Sequence, residues 1–375
     1  WSACLFAFVY LLYPPLHGAN LYDFHYLPLG IFFLWLTVFL VESGRTRWAV
    51  LSVIVTLSIR EDVAAGLGIL GAYLLLSGRR PLAGLVLAIV GVTYFVVMKL
   101  VIMPLKLGDD SFVYMFKDLL PKGETGFSGV LKTVFSNPVF TLNSLLTQEK
   151  LLYVVQLAVP LAFIPWRRPI GWLCTLPGFF FTLLSTGYSP LVQISFQYTA
   201  NWISFIFIAG LANLAFVGKA AFPGDTLGPI RRRSWMMTIA AMTLCTSYQY
   251  GAIMQLNTAR GGFGPYIFGS TKQDQTNYAK LKRLIRRVPP NAKIVSSENI
   301  VPHIANRADS YTMRIGAFDA EYLLGLLPAN LDEARTMKQA LDGAFGVIEI
   351  DMPFVLARRG YPKDRNSEAL QHIHP

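Results

Sequence analysis

The sequence predicts an all-α polytopic membrane bundle followed by a small α/β domain. Three observations lead to this fold class. Of the 375 residues, 53% are hydrophobic and only 15% are charged, whereas an average soluble domain has roughly 25% charged residues. The apolar residues form nine runs, and basic residues fill alternate turns between them. After about residue 257 these runs stop, and helix-like and strand-like patterns alternate instead.

The apolar runs span 1–16, 26–41, 48–59, 63–77, 81–103, 151–165, 170–184, 199–217 and 235–253. Several are shorter than the roughly 20 residues of a straight span. Short runs are either completed by adjoining loop residues or form broken helices around a cavity. We therefore expect a transmembrane helical domain over residues 1–256 with about nine spans, some of them short or broken.

The turns between the runs predict the orientation in the membrane. Alternate turns are basic and contain Arg45 and Arg47, Arg79 and Arg80, Arg167 and Arg168, and Lys219 with Arg231, Arg232 and Arg233. The intervening turns are neutral, mixed or acidic. Because cytoplasmic loops carry an excess of Lys and Arg, the basic turns are predicted to be cytoplasmic and the acidic ones extracytoplasmic.

One alternative is a single long helix over residues 48–77 with Arg60, Glu61 and Asp62 at its middle. Each ionised residue at a lipid-facing helix centre costs about 2.5–3.5 kcal/mol. A continuous helix would also reverse the side of every later turn. Two short helices that meet at the charged triplet avoid both problems, so we expect a break there.

Segment 104–150 is too polar to span and is predicted to be an outer loop. Its apolar residues recur at helical spacing and are interrupted by prolines, which is typical of helices lying flat at the interface. A folded loop that only covers the bundle is the alternative. The residues concerned are Phe112, Met115, Phe116, Leu119 and Leu120, with breaks at Pro121 and Pro138.

The C-terminal region, 257–375, is predicted to be a small soluble α/β domain. Helices are expected at Asn277–Val288 and Leu331–Leu341, and strands at 293–296, 346–350 and 354–357. After nine spans this domain lies on the extracytoplasmic side.

The turn between the first two runs concentrates polar groups at the membrane surface. Asp23 and His25 are two residues apart, so they could hold a divalent metal ion or activate a hydroxyl group. Tyr22 adds a phenol that could bind substrate. The alternative is a hydrogen-bonded turn in which Asp23 caps the next helix.

Three further sets of residues are candidate sites. Arg60 near a helix start could hold a phosphate, with Glu61 and Asp62 as acid or base, although an Arg–Glu pair that only neutralises itself is the alternative. The polar and aromatic cluster from Tyr188 to Trp202, with Gln197 and Tyr198 as candidate binding residues, could form a sugar-binding platform. An ordinary aromatic belt would explain Tyr198 and Trp202 equally well. His303 and Arg307, four apart, would share a face if they lay on one helix, either as a binding pair or as a solvated one. These are the residues we expect to carry chemistry.

Several classes of site are excluded by the residue pattern. The three cysteines lie inside apolar runs without metal-ligand spacing. The net charge of +11 is explained largely by the basic turns, so no nucleic-acid partner is predicted. The chain opens at Trp1 directly in an apolar run that is not a signal peptide, so we expect that an upstream part is missing.

Several motifs together resemble a family of predicted prokaryotic membrane proteins called domain of unknown function 2079. The motifs are Tyr13-Pro14-Pro15, Tyr22-Asp23-Phe24-His25, Arg60-Glu61-Asp62-Val63-Ala64, Ser136-Asn137-Pro138, Lys150-Leu151-Leu152-Tyr153, the runs with Pro160 and Pro177, Gln197-Tyr198-Thr199-Ala200 and Val301-Pro302-His303-Ile304-Ala305-Asn306-Arg307. The similarity covers almost the whole chain in the same order.

That family is grouped with multi-span GT-C glycosyltransferases. The resemblance implies an inner-membrane enzyme that uses a polyprenyl-phosphate sugar donor at the extracytoplasmic face. Such enzymes place a catalytic acid in the first outer loop, which here would lie upstream of Trp1. The alternatives are a transporter or flippase, with the charged triplet as a midplane site, and a non-catalytic membrane scaffold.

Overall fold

The computed structural model describes residues 2–21, 24–103, 105, 113–124, 126–219, 226–255, 269–329 and 331–373. The chain divides into two compact units, Trp1–Tyr266 and Ile267–Pro375. The structure is mostly helical, with a small sheet in the second unit. The boundary predicted between residues 256 and 257 lies outside the described residues.

The first unit is built from helices throughout its described part. Its α-helices are α1 Ser2–Leu11, α2 Pro14–Leu21, α3 Leu29–Glu42, α4 Thr46–Ile59, α5 Glu61–Leu76, α6 Pro81–Val97, α7 Phe127–Ser136, α8 Pro138–Leu145, α9 Gln148–Ala158, α10 Pro169–Cys174, α11 Leu176–Gly178, α12 Ala200–Val217, α13 Gly228–Tyr250 and α14 Ala252–Gln255. Two π-helical turns, Met98–Ile102 and Phe179–Leu183, directly follow α6 and α11. Shorter 3-10 turns cover Val113–Leu119, Val159–Leu161, Ile164–Trp166, Ser189–Val192 and Gln197–Thr199.

Each predicted apolar run contains helix, but few of these helices have the length of a full span. In the described part of the chain, Pro81–Ile102 and Gln197–Val217 are long and apolar enough to cross a membrane. The α1 and α2 pair, bent by 51°, makes a third if counted as one span. α3 and α4 are apolar but shorter. The figure of nine spans therefore stays a prediction.

The two long apolar helices differ in their surroundings. Helix α6 is largely exposed, and its outer face carries large apolar side chains; these include Leu82, Leu85, Val86, Ile89, Val92, Val96 and Val97. A contiguous apolar surface of this kind marks contact with lipid or a partner. Helix α12 is instead mostly buried and forms the centre of the apolar core. The first unit thus places α12 inside and α6 at its rim.

Helices α5 and α12 run parallel through the bundle. The Asn201 amide donates to the Asp62 carboxylate at their first turns. Four residues further along each helix, Gly66 packs against the Phe205 ring. Both helices therefore begin at one end of the first unit, which we call the acidic end. They finish at the opposite end, which we call the basic end.

The four basic turns share the basic end. Arg79, after α5, forms an ion pair of 2.8 Å with Glu42 at the end of α3, where the first basic turn begins. Arg231 donates to the Lys219 carbonyl after α12, and the Arg168 guanidinium lies 4.1 Å above a ring in the last turns of α12. The basic turns, which alternate with neutral or acidic turns along the sequence, thus lie together at one end of the first unit. The membrane side on which each end lies stays a prediction.

The predicted break in residues 48–77 is confirmed. α4 ends at Ile59, and α5 begins at Glu61. Arg60 between them is extended, with φ −165° and ψ 153°. α4 pairs with α3 through a cluster of buried hydroxyls on Thr37, Ser52 and Thr56. The charged triplet therefore lies where two helices meet at the acidic end, as the charge cost predicts.

The outer loop 104–150 contains short helices in its described part. One 3-10 segment covers Val113–Leu119, and α7 and α8 meet at Asn137, whose side chain caps α8 just before Pro138. The predicted break at Pro138 is thereby confirmed. Phe112 lies outside the described residues. Whether these helices lie flat at the interface stays a prediction.

The turn predicted after the first run is partly wrong. Residues 18–21, which the sequence pattern predicts to lie in the turn, belong to α2, whose first turn contains Pro14 and Pro15. Proline is well tolerated there because the missing N–H has no partner in a first turn. The polar turn therefore begins only after Leu21.

The second unit is a five-stranded sheet with helices. The strands are β1 Ile294–Ser296, β2 Ser310–Thr312, β3 Tyr322–Leu326, β4 Phe345–Asp351 and β5 Phe354–Arg359, in the order β2-β1-β3-β5-β4. β1 is parallel to β2 and β3, while β5 is antiparallel to β3 and β4. The helices are α15 Lys272–Arg287, α16 Val301–Ile304, α17 Leu331–Asp342 and α18 Asn366–Leu370. The predicted small α/β domain is thus confirmed in kind.

Candidate functional site

A small cavity lies at the charged break, and we call it the break cavity. It has a volume of about 70 Å³. Its polar lining comes from Arg60, Glu61, Asp62, Lys99 and Tyr198. Its apolar lining comes from Phe95, Met115, Phe116, Phe127, Phe181 and Leu191. Two cations and two carboxylates therefore meet inside an apolar wall at the start of α5.

Arg60 and Asp62 form a clamp across the helix break. The Arg60 Nε donates to Asp62 Oδ1 at 2.8 Å, and Nη2 donates to Oδ2. Asn201 of α12 donates to the same Oδ2 at 3.1 Å. Asp62 is only 2% exposed, whereas the Arg60 side chain is 32% exposed. The ion-pair partner of Arg60 is therefore Asp62, and the alternative in which Arg60 pairs with Glu61 is wrong.

Glu61 remains available to a ligand. Its side chain is half-buried and lines the break cavity. In the described part of the chain its carboxylate forms neither an ion pair nor a hydrogen bond, although it lies near enough to stabilise the Arg60 cation. Asp62 is therefore the acid that holds Arg60, and Glu61 is the acid of this pair without a hydrogen-bond partner in the described part of the chain.

Two π-helical turns contribute to the cavity wall. Met98–Ile102 carries Lys99, and Phe179–Leu183 carries Phe181. The Phe181 ring contacts Phe95 edge-on, with centroids 5.9 Å apart. π-helical turns are rare and are found frequently at functional sites. Lys99 was not predicted as a site residue, although it is the one charge in the apolar run 81–103 and could have been found there.

Of the two residues of the predicted sugar platform, the structure brings one to the cavity. Tyr198 lines it, and the Arg60 guanidinium lies 6.0 Å from the Tyr198 ring centroid, within reach of a cation–π interaction. Gln197 is buried at 4% exposure and is not part of the cavity lining. Its side-chain oxygen is buried without a hydrogen-bond partner within the described chain. A buried acceptor of this kind is unusual.

The predicted metal site falls largely outside the described residues, since Tyr22 and Asp23 are not described. His25 is half-buried between α2 and α3. Among the described residues, no three His, Cys, Asp or Glu side chains are grouped closely enough to hold a metal ion. The pair Asp23 and His25 stays a prediction.

His17, another imidazole of this region, has a structural environment. Its Nε2 bonds to the Leu11 carbonyl at 2.7 Å, and its Nδ1 accepts from the Ala252 amide at 3.2 Å. These partners assign a neutral ring with the proton on Nε2. His17 therefore ties α2 to α14 at the acidic end.

His303 and Arg307 belong to the second unit and do not share a helix. α16 ends at Ile304, so the condition for a common helix face is not met. The Arg307 guanidinium instead donates to the carbonyls of Val288, Pro289 and Pro290, just after the end of α15. A cation at the end of a helix satisfies carbonyls that lack partners there. His303 packs on the Tyr278 ring with centroids 5.5 Å apart.

An apolar helical bundle with an apolar outer face, joined to a small sheet unit, defines a helical membrane protein. The chain belongs to the family described as predicted membrane protein (DUF2079), whose model matches residues 2–324. That match includes all of the first unit's described residues and reaches β3 of the second. No curated protein and no solved structure matches the chain. The family resemblance is confirmed, and membership associates the chain with a lipid bilayer.

Proposed function

We propose that the chain is a membrane glycosyltransferase that uses a polyprenyl-phosphate sugar donor, with the break cavity as its reaction site at the extracytoplasmic face. The observation that carries this proposal is the meeting of Glu61, Arg60 and Lys99 in one cavity at the start of α5. A carboxylate supplies a base, and the two cations supply partners for a phosphate.

The electrostatics of the cavity support phosphate binding. Arg60 donates to Asp62 through Nε and Nη2. Its remaining N–H groups are available to a ligand, and about a third of its side chain is exposed. Lys99, which also lines the cavity, adds a second positive charge. The first amides of α5 add the positive end of a helix dipole. An anion that approaches here gains from the two cations and the helix dipole, and the Glu61 and Asp62 carboxylates oppose part of this gain.

The surroundings support a lipid-linked donor. The cavity of about 70 Å³ has room for a small polar group and not for a whole lipid. The polyprenyl chain would lie on the exposed apolar face of α6, next to the residues that line the cavity. Val92 and Val96 are both largely exposed on that helix, on either side of Phe95 in the sequence. The phosphate at the end of the lipid would then reach Lys99.

In the proposed reaction, Glu61 takes the proton of an acceptor hydroxyl while the hydroxyl oxygen attacks the anomeric carbon of the donor. The bond from that carbon to the phosphate oxygen breaks, and its electron pair leaves with the polyprenyl phosphate. Arg60 and Lys99 stabilise the charge that develops on the phosphate. We assign Asp62 a positioning role, because it is buried and holds Arg60.

Packing below the cavity favours transfer over transport. Towards the basic end, α5 buries Leu67, Leu70 and Leu74 completely. α5 also meets α6 at backbone distance through Gly71 and Gly84. Such close packing leaves no room for a polar ligand along this helix. A transporter would require a polar route through this region.

The test compares Glu61→Gln with Glu124→Gln in the full-length protein. Glu124 is paired with Lys132 outside the cavity, so it serves as a matched control. Membranes that contain each variant are incubated with a polyprenyl-phosphate hexose radiolabelled in its sugar. The measured quantity is the label that leaves the lipid fraction.

Loss of the general base predicts a 10²- to 10⁴-fold lower rate for Glu61→Gln, of the order typical for such groups. The control should keep the rate of the unaltered chain. Equal rates for Glu61→Gln and the unaltered chain would remove Glu61 from the mechanism. Release that is absent from the unaltered full-length protein would overturn the proposed donor.

A further inference from the structure

A second and larger cavity lies beside the outer-loop helices, and we call it the polar cleft. Its volume is about 1010 Å³. One wall comes from the segment 117–120 and from residues 140–150 around the start of α9, and the other from residues 185–192. The residues that carry its chemistry are Lys117, Asp118, Asn143, Glu149, Lys150 and Tyr188. None of them lines the break cavity.

Lys150 is the most unusual residue of the cleft. It is only 6% exposed, and its ammonium donates to the Ser144 carbonyl at 2.8 Å. An ammonium has three donors. In the described part of the chain, Ser144 is the one acceptor within hydrogen-bond distance, and no carboxylate lies within ion-pair distance. Two donors of a buried cation are therefore available to a ligand in the cleft.

A buried and unpaired ammonium is costly to maintain. Burial lowers the pKa of Lys150 to about 8, and the negative charge of Asp118 only partly opposes this shift. The group is still mostly protonated at neutral pH. A buried charge without a partner destabilises the fold. Where such a group is retained it is frequently part of a binding or catalytic site. Lys150 thus marks the cleft as a site that a ligand completes.

The two walls of the cleft are held in place by hydrogen bonds. The Ser189 hydroxyl donates to Glu149 at 3.4 Å and accepts from Gln193 at 3.0 Å. On the other side, the Asp118 amide donates to the Thr186 hydroxyl at 3.1 Å. A ligand therefore meets a preformed site, which reduces the entropy lost on binding.

The remaining lining indicates the class of ligand. The charges cancel in number, because the cleft is lined by two lysines, Lys117 and Lys150, and by two acids, Asp118 and Glu149. A highly charged ligand would gain little from such a balance. The rest of the lining combines the Tyr188 ring and the apolar Leu120, Phe140 and Val192 with amides and hydroxyls; these polar groups belong to Asn143, Ser144, Thr147, Gln148, Ser185, Thr186 and Ser189. Alternating donors and acceptors beside an aromatic ring suit a ligand with many hydroxyl groups.

We propose that the polar cleft binds a neutral, hydroxyl-rich ligand of the carbohydrate class, with the Lys150 ammonium donating to a ligand oxygen. The cleft is separate from the break cavity. Between them stand Phe116 and Leu191, together with the rings of Tyr188 and Tyr198, whose centroids are 6.2 Å apart. The proposal concerns binding, and it holds whether or not the chain transfers a sugar.

The test measures retention of the purified full chain on an array of immobilised neutral and acidic glycans. The detergent must have no sugar head group, because such a head group would compete for the cleft. Lys150→Met keeps the aliphatic stem and removes the ammonium. Lys132→Met is the matched control, since Lys132 forms a surface ion pair with Glu124 and lies outside the cleft.

We expect the unaltered chain to bind at least one neutral glycan and Lys150→Met to bind it about tenfold or more weakly, as expected for a lost hydrogen bond from a charged group. Lys132→Met should bind like the unaltered chain. If Lys150→Met does not fold, judged by its elution volume, Asp118→Asn provides the same comparison at an exposed position of the cleft, with several-fold weaker binding expected. Retention on acidic glycans alone, retention on none, or unchanged binding by the folded cleft variants would overturn the proposal.

Discussion

Neutralising Asp62 should destabilise the first unit far more than neutralising its neighbour Glu61. Asp62 is 2% exposed and accepts hydrogen bonds from Arg60 and Asn201. Removing one partner of a buried ion pair costs roughly 3–5 kcal/mol. Because the Arg60 side chain keeps 32% of its exposure, water screens part of the charge left behind. We therefore expect Asp62→Asn to cost about 3 kcal/mol, at the lower end of that range.

Glu61→Gln is the matched control for this prediction. It removes the same charge one residue earlier, from a half-buried side chain without an ion pair in the described part of the chain. Its cost should stay below about 1 kcal/mol. The assay is the free energy of unfolding in mixed micelles titrated with sodium dodecyl sulfate, followed by tryptophan fluorescence. Equal costs for the two variants, or a greater cost for Glu61→Gln, would refute the clamp and the separate roles given to the two acids.

Three further predictions concern other parts of the molecule. Gly71→Ala places a methyl group 2.3 Å from the Ala88 backbone nitrogen, so it should cost about 2 kcal/mol of unfolding free energy in the same assay. Gly210→Ala, whose new methyl group has its nearest neighbours at 3.8 Å, should cost nothing. Equal effects of the two variants would contradict the close contact between α5 and α6. Arg307→Ala removes the donors to three carbonyls after α15, so amide hydrogen exchange in peptides from residues 272–287 should become faster. Unchanged exchange would exclude a stabilising role of Arg307 at the end of this helix. Burial lowers the pKa of Lys150 to about 8, so its neutral amine is populated above pH 8. The acylation rate of Lys150, measured by mass spectrometry as a function of pH, should therefore have its midpoint near pH 8. A midpoint near the ordinary lysine pKa of about 10.4 would contradict the burial.

The helix break and the segregation of charges could be predicted from the sequence because each depends on a large local cost. Three adjacent charges between apolar runs cannot lie in a lipid-facing helix, so the chain must break at Arg60. Basic turns alternate with neutral or acidic turns because successive helices run in opposite directions, so that successive turns lie at opposite ends. The Glu42–Arg79 pair at the basic end is a consequence of this alternation.

The choice of partners inside the site could not be predicted. Whether Arg60 pairs with Glu61 or Asp62 depends on which side chain α5 turns towards Asn201, and that follows from the packing of α5 against α12. The position of Lys99 relative to the break depends on how α6 returns along α5. Helical periodicity within one segment carries no information on either point.

In the second unit the sequence pattern predicts β1, β4 and β5 and misses β2 and β3, although β3, Tyr322–Leu326, is almost entirely apolar. β4 has apolar residues at most positions from Phe345 to Ile350, and β5 begins with four consecutive apolar residues, Phe354 to Ala357. β2, Ser310–Thr312, has only three half-buried residues, and its pairing with β1 is non-local. The role of Arg307 is likewise non-local, since its acceptors lie 17 to 19 residues away. Contacts of this kind are set by the folded sheet and not by neighbouring residues.

The most direct test of the account is the membrane side of the acidic end, because the proposed reaction requires it to face outward. Ser128→Cys reports on the acidic end and Ser77→Cys on the basic end, and both positions are exposed. The background is a chain in which the native Cys4, Cys174 and Cys245 are replaced by alanine. In intact cells, a membrane-impermeant maleimide should label position 128, and position 77 only after lysis. Labelling of position 77 in intact cells, with position 128 protected until lysis, would contradict the orientation and the proposed extracytoplasmic chemistry.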